Sequence, residues 1–226
     1  EGSGTTAGDS SGGGHNGTLS SSGWTDGALG PDAFAGAGTR NVSISATALA
    51  SLNMHATVAF WMKSNLGISG YNYVPGALHD GWLISVDETP TLIEFGIGGP
   101  PGYGSYDLLY YTWPDANDHI DRWVHVACTK NASTGNMYLY VNGICVSDAY
   151  GSKLIPIDGN DATTFKIGSH PYDAYYYNGS VDEFRVYNDV LSEAEISNLG
   201  SLVGYWSFDE GSGTTAGDSS GGGHNG

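Results

Sequence analysis

Positive charge is the scarcest property of this chain. Seven Lys and Arg residues stand against 24 Asp and Glu residues, for a net charge of −17 at pH 7. A field of that sign repels polyanions and anionic headgroups, so the composition excludes nucleic acid and membrane surfaces as partners. It favours cations, Ca²⁺ above all where carboxylates and carbonyls converge. The same acidity also serves simply to keep a secreted protein dispersed in water.

Long apolar runs are absent as well. No segment approaches the roughly 18 apolar residues of a membrane span, so we expect no membrane insertion. No leader peptide precedes the Gly-rich start, as expected of a mature, processed or excerpted chain. Few Lys and many Ser, Thr, Asn, Gly and Tyr residues indicate an extracellular protein, secreted or on a cell surface.

Cysteine is limited to two residues, Cys128 and Cys145. If Asn142 and Gly143 form a two-residue hairpin turn, Cys145 lies opposite Tyr140. If residues Asn131 to Gly135 form the preceding turn, Cys128 lies near Leu139. Neighbouring strand residues face opposite sides of a sheet, so the two thiols point apart. This arrangement disfavours a disulfide, because a bridge needs converging Cβ atoms.

What the chain does have is a perfect repeat at its two ends. Residues 1–17, EGSGTTAGDSSGGGHNG, return unchanged as residues 210–226. The offset of 209 residues is far above the roughly 20–50 residues of solenoid repeats and matches a whole domain. The chain is therefore interpreted as one period of a tandem array, or as a subunit whose two ends play equivalent roles.

Strand patterns dominate the remainder. Short runs of alternating apolar and polar residues, separated by Gly- and Asn-rich turns, predict an all-β sandwich. The predicted strands are 56–63, 82–86, 91–97, 108–113, 123–129, 137–141, 144–146, 165–168, 181–187 and 203–208. One helix is predicted over Ser192–Leu199, where Ser192 caps, Glu193 and Glu195 occupy the first turn, and Gly200 ends it.

Several of these segments together resemble one known family. They are VGYWSFD at 203–209, the hairpin WVHVA at 123–127 with LYVNG at 139–143, and GSVDEFRVY at 179–187 followed by Leu191-Ser192. In order and spacing they resemble the laminin-G-like jelly roll of the concanavalin A-like lectin/glucanase superfamily. The resemblance covers nearly the whole chain. It implies a two-sheet antiparallel jelly-roll sandwich with one short helix near 192–199.

The resemblance also gives the terminal repeat a place in the fold. The family's first strand resembles residues 202–209, which stand here at the end of the chain. Residues 1–200 would then be a jelly roll lacking its first strand, and 201–226 the first strand and following loop of the next repeat. Unpaired sheet backbone invites a strand from a neighbour, so identical domains or subunits are the expected partners. A covalent array and a non-covalent polymer both satisfy this expectation.

The Gly-rich loop at 8–17 is the best candidate metal site. Glycines let several carbonyls curl inward beside a carboxylate, which suits Ca²⁺. The resemblance implies a structural Ca²⁺ held by Asp9 and Asp182, with carbonyls near Gly12 and His15. The second copy would offer Asp218, Gly221 and His224 to the following domain. The alternative interpretation is a flexible Gly/Ser linker without metal.

Tyrosines in three predicted loops rich in aromatics, at 70–73, 102–107 and 172–177, are candidates for contact with glycans or with neighbouring subunits. They are Tyr71, Tyr73, Tyr103, Tyr106, Tyr175 and Tyr176. Four sequons for N-glycosylation occur, at Asn16, Asn41, Asn131 and Asn178.

Catalysis finds little support. Retaining glucanases place paired carboxylates on one strand, but no E-x-D-x-x-E pattern occurs here. Asp87-Glu88 and Asp182-Glu183 are adjacent pairs whose side chains diverge in a strand, and His125 is expected to be a satisfied strand histidine. We therefore predict a non-enzymatic, calcium-stabilised repeating unit of an extracellular fibre, stalk or adhesin. A carbohydrate-binding lectin-like module is the alternative, and a glycoside hydrolase the remote one.

Overall fold

The structure, a computed structural model, is a sandwich of two antiparallel sheets. It describes residues 2–36, 38–45, 49, 52–65, 72–77, 82–86, 92–98, 106–115, 118–157, 164–170 and 175–200. The eight-stranded sheet contains β1 (Thr6–Ala7), β2 (Gly17–Leu19), β5 (Val42–Ser45), β14 (Thr164–Ile167), β7 (Asn72–Ala77), β8 (Trp82–Val86), β9 (Leu92–Gly98) and β10 (Tyr106–Thr112), in that spatial order.

The seven-stranded sheet lies across the core from it. In spatial order it contains β13 (Ile144–Ala149), β12 (Asn136–Val141), β11 (Val124–Asn131), β6 (His55–Ser64), β15 (Gly179–Tyr187), β4 (Ala33–Gly36) and β3 (Trp24–Thr25). Strands distant in sequence are neighbours in both sheets, as in a jelly roll. The predicted fold class, a two-sheet jelly-roll sandwich with one short helix, is confirmed.

Alternation along the strands builds the core. In β6, Val58, Phe60 and Met62 are fully buried in the main apolar cluster between the sheets. Ala59 lies between them in sequence and belongs instead to a second cluster on the outer face. Full burial of one large apolar side chain stabilises the fold by about 1.5–3 kcal/mol, so this register is strongly preferred.

The helix α1 (Glu193–Gly200) covers part of that outer face. Ile196 packs there with Ala59, Ala127 and Tyr140. Its start is a capping box: the Ser192 hydroxyl accepts from the Glu195 amide at 3.4 Å, and the Glu195 carboxylate accepts from the Ser192 amide at 2.8 Å. The predicted helix and its cap are confirmed.

The predicted register around the two cysteines is also confirmed. Cys128 lies opposite Leu139, and Cys145 lies opposite Tyr140. Cys128 is buried between the sheets, where burial raises the pKa of its thiol well above the ordinary value. Cys145 packs on the opposite face, and both cysteines are free.

Six strands were missed by the sequence patterns: β1, β2, β3, β4, β5 and β7. The first five have only two to four residues each. Too few residues are present for alternation to emerge. The sixth contains Pro75 and Gly76, which are typical of turns, but it pairs with both β8 and β14. The predicted strand at 203–208 lies outside the described residues.

Candidate functional site

The Asp9 loop is a closed turn between β1 and β2. The Asp9 carboxylate accepts from the Ser11 amide at 2.8 Å through Oδ1 and from the His15 amide at 2.9 Å through Oδ2. The Ser11 hydroxyl first, and then these amides, lower the pKa of Asp9 to about 2. The carboxylate is therefore ionised at neutral pH, as a Ca²⁺ ligand must be.

The glycines of this loop adopt the conformations that the sequence predicted. Gly12 has a φ of 86° and Gly14 a φ of 73°, both in the left-handed region. The imidazole Nδ1 of His15 lies 3.6 Å from Asp9 Oδ2. The structure thus brings together Asp9 and His15, with Gly12 in the turn between them.

Asp182 is engaged elsewhere, by the loop that precedes β4. Its Oδ2 accepts from the amides of Ala28 at 2.8 Å and Leu29 at 3.2 Å. Its Oδ1 accepts from the amide of Glu183, a residue with a φ of 50° at an irregularity of β15. Asp182 thereby joins the 27–30 loop to the seven-stranded sheet.

Three oxygen atoms, one of them from Asp182, surround the position that a side chain on Gly27 would occupy. A Cβ on Gly27 would lie 2.5 Å from the Gly30 carbonyl oxygen, 2.9 Å from Asp182 Oδ2 and 3.1 Å from the Asp32 carbonyl oxygen. One carboxylate with two carbonyls is the donor chemistry of Ca²⁺. These oxygens suit a calcium site centred on Asp182.

The predicted metal ligands are only partly assembled. Among the described residues, no three or more His, Cys, Asp or Glu side chains gather at one point. Asp9 and Asp182 bind amides of different loops. The second copy, with Asp218, Gly221 and His224, lies outside the described residues.

The predicted tyrosines divide into three groups. Tyr71 and Tyr103 lie outside the described residues. Tyr73 and Tyr106, which the sequence placed in loops, instead lie in β7 opposite Ser85 and in β10 opposite Gly98. The loop placement was wrong for these two residues, because cross-strand pairing holds Tyr73 in β7 and Tyr106 in β10.

Tyr175 and Tyr176 do lie outside the strands, as predicted. Tyr175 is exposed, with a φ of 52°, and its ring centroid lies 6.1 Å from that of His170. Tyr176 is half-buried beside it. The segment therefore offers one exposed aromatic ring.

A second aromatic group, which the sequence patterns missed, lies at the edge of the seven-stranded sheet. Tyr150 directly follows the edge strand β13 and is 62% exposed. Its ring lies 5.5 Å from that of Tyr138 at 83°, an edge-to-face pair. Tyr138 is opposite Asp148 in the β12–β13 pair. We call Tyr138, Asp148 and Tyr150 the aromatic corner.

Three polar groups converge within the aromatic corner. The Tyr150 hydroxyl donates to Asp148 Oδ2 at 2.9 Å. Hydrogen bonding to Asp148 is the main cause that raises the pKa of Tyr150 to about 12, with burial and a hydrogen bond to Tyr138 adding to it. The aromatic corner thus places one exposed phenol ring beside an exposed carboxylate. The sequence held one signal that could have revealed this group. Tyr138 and Tyr140 are two residues apart and therefore lie on one face of β12.

The sequon asparagines differ in exposure. Asn16 is exposed, and its Oδ1 accepts from the Asp9 amide at 2.9 Å. Asn131 and Asn178 are half-buried, bonded to the Thr134 amide and the Asn65 side chain. Asn41 is only 4% exposed, so its amide faces the protein interior in the folded chain.

The carboxylate pair in β15 does not form a catalytic dyad. Asp182 is bound to amides, and Glu183 pairs with Arg185. The other adjacent pair, Asp87-Glu88, lies outside the described residues. His125 lies in the strand β11, as predicted, and is buried; among the described residues its Nδ1 has no hydrogen-bond partner.

No helix in the described part of the chain is long and apolar enough to cross a membrane.

A family model of laminin G type, described as the concanavalin A-like lectin/glucanases superfamily, matches residues 36–197. Among curated proteins, botulinum neurotoxin type E of Clostridium botulinum is 27% identical over 124 residues, covering 54% of this chain and 9% of that protein. Botulinum neurotoxin type F of the same organism is 28% identical over 113 residues, covering 46% and 9%. The chain thus spans about a tenth of the length of these relatives.

Solved structures share the architecture. The receptor binding domain of the botulinum neurotoxin C/D mosaic serotype has a TM-score of 0.64 at 16% identity, covering 82% of this chain and 46% of that one. The binding domain of botulinum neurotoxin DC in complex with SialylT has a TM-score of 0.63 at 16% identity, covering 86% and 49%. A structure of botulinum neurotoxin type C, whose cell entry depends upon interaction with two ganglioside molecules, has a TM-score of 0.64 at 18% identity, covering 88% of this chain and 51% of that one. At these identities the likeness establishes the fold, and the chain spans about half of each.

Proposed function

The chain belongs to the concanavalin A-like lectin/glucanases superfamily, and from that premise we propose that it is a carbohydrate-binding module without catalytic activity. It would act outside the cell, on glycans of a surface or matrix. Two of the matched solved structures are toxin binding domains, one of them in complex with SialylT. Their likeness supports the proposal at the level of fold.

The aromatic corner is the observation that carries this proposal. The face of a pyranose ring is apolar and stacks on an exposed phenol ring, while its hydroxyls need acceptors and donors nearby. Tyr150 offers the exposed ring, and Asp148 and Tyr138 offer the polar groups. The other exposed tyrosines among the described residues are Tyr110, on the other sheet, and Tyr175, in the segment before β15.

A glycan array probed with the full chain tests the proposal. We expect binding to a defined set of oligosaccharides, confirmed by calorimetry with one free sugar of that set. Tyr150→Ala should weaken this binding at least tenfold, because stacking on an aromatic face is lost. Failure of the full chain to bind any glycan at millimolar concentration would contradict the proposed function.

A second candidate function is the repeating unit of an extracellular fibre, stalk or adhesin. It is favoured by the identity of residues 1–17 and 210–226. Residues of the first copy join the edge of the eight-stranded sheet, where Thr6 pairs with Thr18 and the Leu19 amide donates to the Thr5 carbonyl at 2.9 Å. The second copy has the same side chains for the same contacts on an identical neighbour. Sedimentation velocity and electron microscopy should reveal end-to-end polymers, and a monomer at every concentration would contradict non-covalent assembly.

A structural Ca²⁺ ion is part of this second candidate function. The fold family implies the ion, and the donor chemistry of Asp182 with the carbonyls of Gly30 and Asp32 suits it. Asp9, in the separate turn between β1 and β2, is the other carboxylate that the family resemblance implies as a ligand. When bound, the ion would neutralise local negative charge and hold the 27–30 loop against β15. Its role would be structural stabilisation.

A further inference from the structure

We infer that the aromatic corner is selective for neutral sugars and discriminates against sialylated or otherwise acidic ones. The inference rests on the proposed carbohydrate-binding function and assigns it a ligand class. It follows from where one carboxylate lies relative to the exposed ring. The three residues concerned, Tyr138, Asp148 and Tyr150, lie on two paired strands and the residue that follows them.

The geometry of the corner fixes how a sugar would approach. The two tyrosine rings meet at 83° with centroids 5.5 Å apart, so the edge of one ring faces the other. A pyranose stacked on the exposed face of Tyr150 is therefore bordered on one side by Tyr138. The hydroxyl of Tyr150 points to Asp148 Oδ2 at 2.9 Å. A sugar stacked on this ring thus has its edge hydroxyls beside the Asp148 carboxylate.

Asp148 is an acceptor, and this decides the charge of the ligand. An ionised carboxylate accepts hydrogen bonds and donates none, so it favours sugar hydroxyls and amides. A second carboxylate or a sulfate brought beside it would be repelled. At a partly exposed site, such a like-charge contact corresponds to roughly a tenfold or greater loss of affinity.

The surroundings have the same sign. Asp148 acts electrostatically on the hydroxyls of both Tyr140 and Tyr150, and Glu193 acts on that of Tyr140. Both of these side chains are acidic. The chain as a whole carries a net charge of −17, so the long-range field also disfavours anionic glycans.

The position of the corner makes it accessible to a large glycan. The strand β13 is the edge of the seven-stranded sheet, and its side chain Ile144 is 68% exposed. On the protein side of the corner, the Tyr140 ring centroid lies 6.2 Å from that of Tyr138. Tyr140 itself packs in the outer-face cluster with Ile196. The platform is thus supported from the protein side and open on the solvent side.

The experiment uses the full chain on an array that displays each oligosaccharide as a neutral form and as its sialylated and sulfated derivatives. Wild-type protein should bind neutral members at least tenfold more tightly than their acidic derivatives. Tyr150→Ala should lose the neutral binding, whereas Tyr150→Phe, which keeps the ring, should retain most of it. Tyr110→Ala, an equally exposed tyrosine on the other sheet, is the matched control and should bind like wild type.

Asp148→Asn provides the specificity test, because asparagine keeps an acceptor for the Tyr150 hydroxyl while removing the charge. We expect the ratio of neutral to acidic binding to fall severalfold in this variant, with an unchanged thermal midpoint. A wild-type preference for acidic glycans, or an unchanged ratio in Asp148→Asn, overturns the inference. Neutral glycan binding that survives Tyr150→Ala overturns the site but leaves the proposed function standing. Absence of all glycan binding overturns both.

Discussion

Lys130 and Asp107 form a buried ion pair between the two sheets. The Lys130 side chain in β11 is fully buried, and its Nζ lies 2.5 Å from Asp107 Oδ2 in β10. The ammonium also donates to the Lys153 carbonyl at 2.6 Å, and Asp107 accepts from the Ile155 amide at 2.8 Å. Burial lowers the pKa of Lys130, against the opposing effect of Asp107. One charged pair therefore ties both sheets to the segment that follows β13.

Removing one partner of this pair should be severely destabilising. Lys130→Met leaves Asp107 buried without its cation, and breaking a buried pair costs about 3–5 kcal/mol. Denaturant unfolding measures the loss. The double variant Lys130→Met with Asp107→Leu should recover most of it, because neither charge is then unpaired. Lys63→Met, in the neighbouring β6 and over the Trp123 ring at 5.0 Å, should cost less than about 1 kcal/mol. Equal losses at Lys63 and Lys130 would contradict this account.

Acid should destabilise the fold through His125. Burial, and secondarily the charge of Arg185, lower the pKa of His125 to about 4. The unfolded chain keeps a pKa near 6.5, so it binds more protons than the folded chain between these values. Stability is therefore full above pH 6.5 and falls by roughly 3 kcal/mol as the pH drops to about 4.

Unfolding free energies measured between pH 4 and pH 8 check this prediction. His125→Gln, which cannot titrate, should flatten the slope even though it lowers stability overall. A smaller slope should remain from His119, whose pKa burial also lowers. A wild-type slope unchanged by the substitution would show that other groups control the acid sensitivity.

Gly27 should not tolerate a side chain, whereas its neighbour Gly30 should. A Cβ at Gly27 would meet the Gly30 carbonyl oxygen at 2.5 Å and Asp182 Oδ2 at 2.9 Å, so Gly27→Ala must displace backbone. A Cβ at Gly30 meets nothing within 4 Å. We expect Gly27→Ala to cost about 1–3 kcal/mol and Gly30→Ala to be near neutral, by thermal unfolding. Equal effects would mean that the loop adapts freely around Asp182.

Calcium dependence should reside mainly at Asp182. If the ion is bound, addition of Ca²⁺ after chelation should raise the thermal midpoint of the wild-type chain. Asp182→Asn should abolish this increment, and Asp9→Asn should reduce it. The increment, not the absolute midpoint, is the readout, because Asp182→Asn also weakens the bonds to Ala28 and Leu29. A wild-type midpoint unaffected by chelator would remove Asp9 and Asp182 as metal ligands.

The prediction from sequence succeeded where strands are long and one face is apolar. β6 and β11 have ten and eight residues, enough for alternation to define both the strand and the buried face. The register of Cys145 opposite Tyr140 followed from a two-residue turn at Asn142, which has a φ of 48°. It failed for β7, where Pro75 and Gly76 indicate a turn but two neighbouring strands hold the segment in a sheet.

The candidate sites show the same difference: local contacts could be predicted from the sequence, and long-range contacts could not. Local chemistry was readable: the Asp9 loop closes on itself with left-handed glycines because every contact lies within eight residues. The partners of Asp182 are 153 and 154 residues away, in a loop without any motif. The aromatic corner was equally hidden, because Tyr150 stands outside the strand patterns and meets Tyr138 only across a hairpin.

By itself, the sequence determined the fold class, the family, the acidic character and the identity of residues 1–17 with 210–226. The first three can be inferred from composition, short-range periodicity and the order of local motifs, and the fourth is read directly from the sequence. Tertiary structure alone decided which loop amides bind Asp182, which lysine lies in the core beside Asp107, and where Tyr150 meets Asp148. Such contacts depend on pairing between distant strands, and no local pattern encodes which of several chemically equivalent side chains the folded sheets bring together.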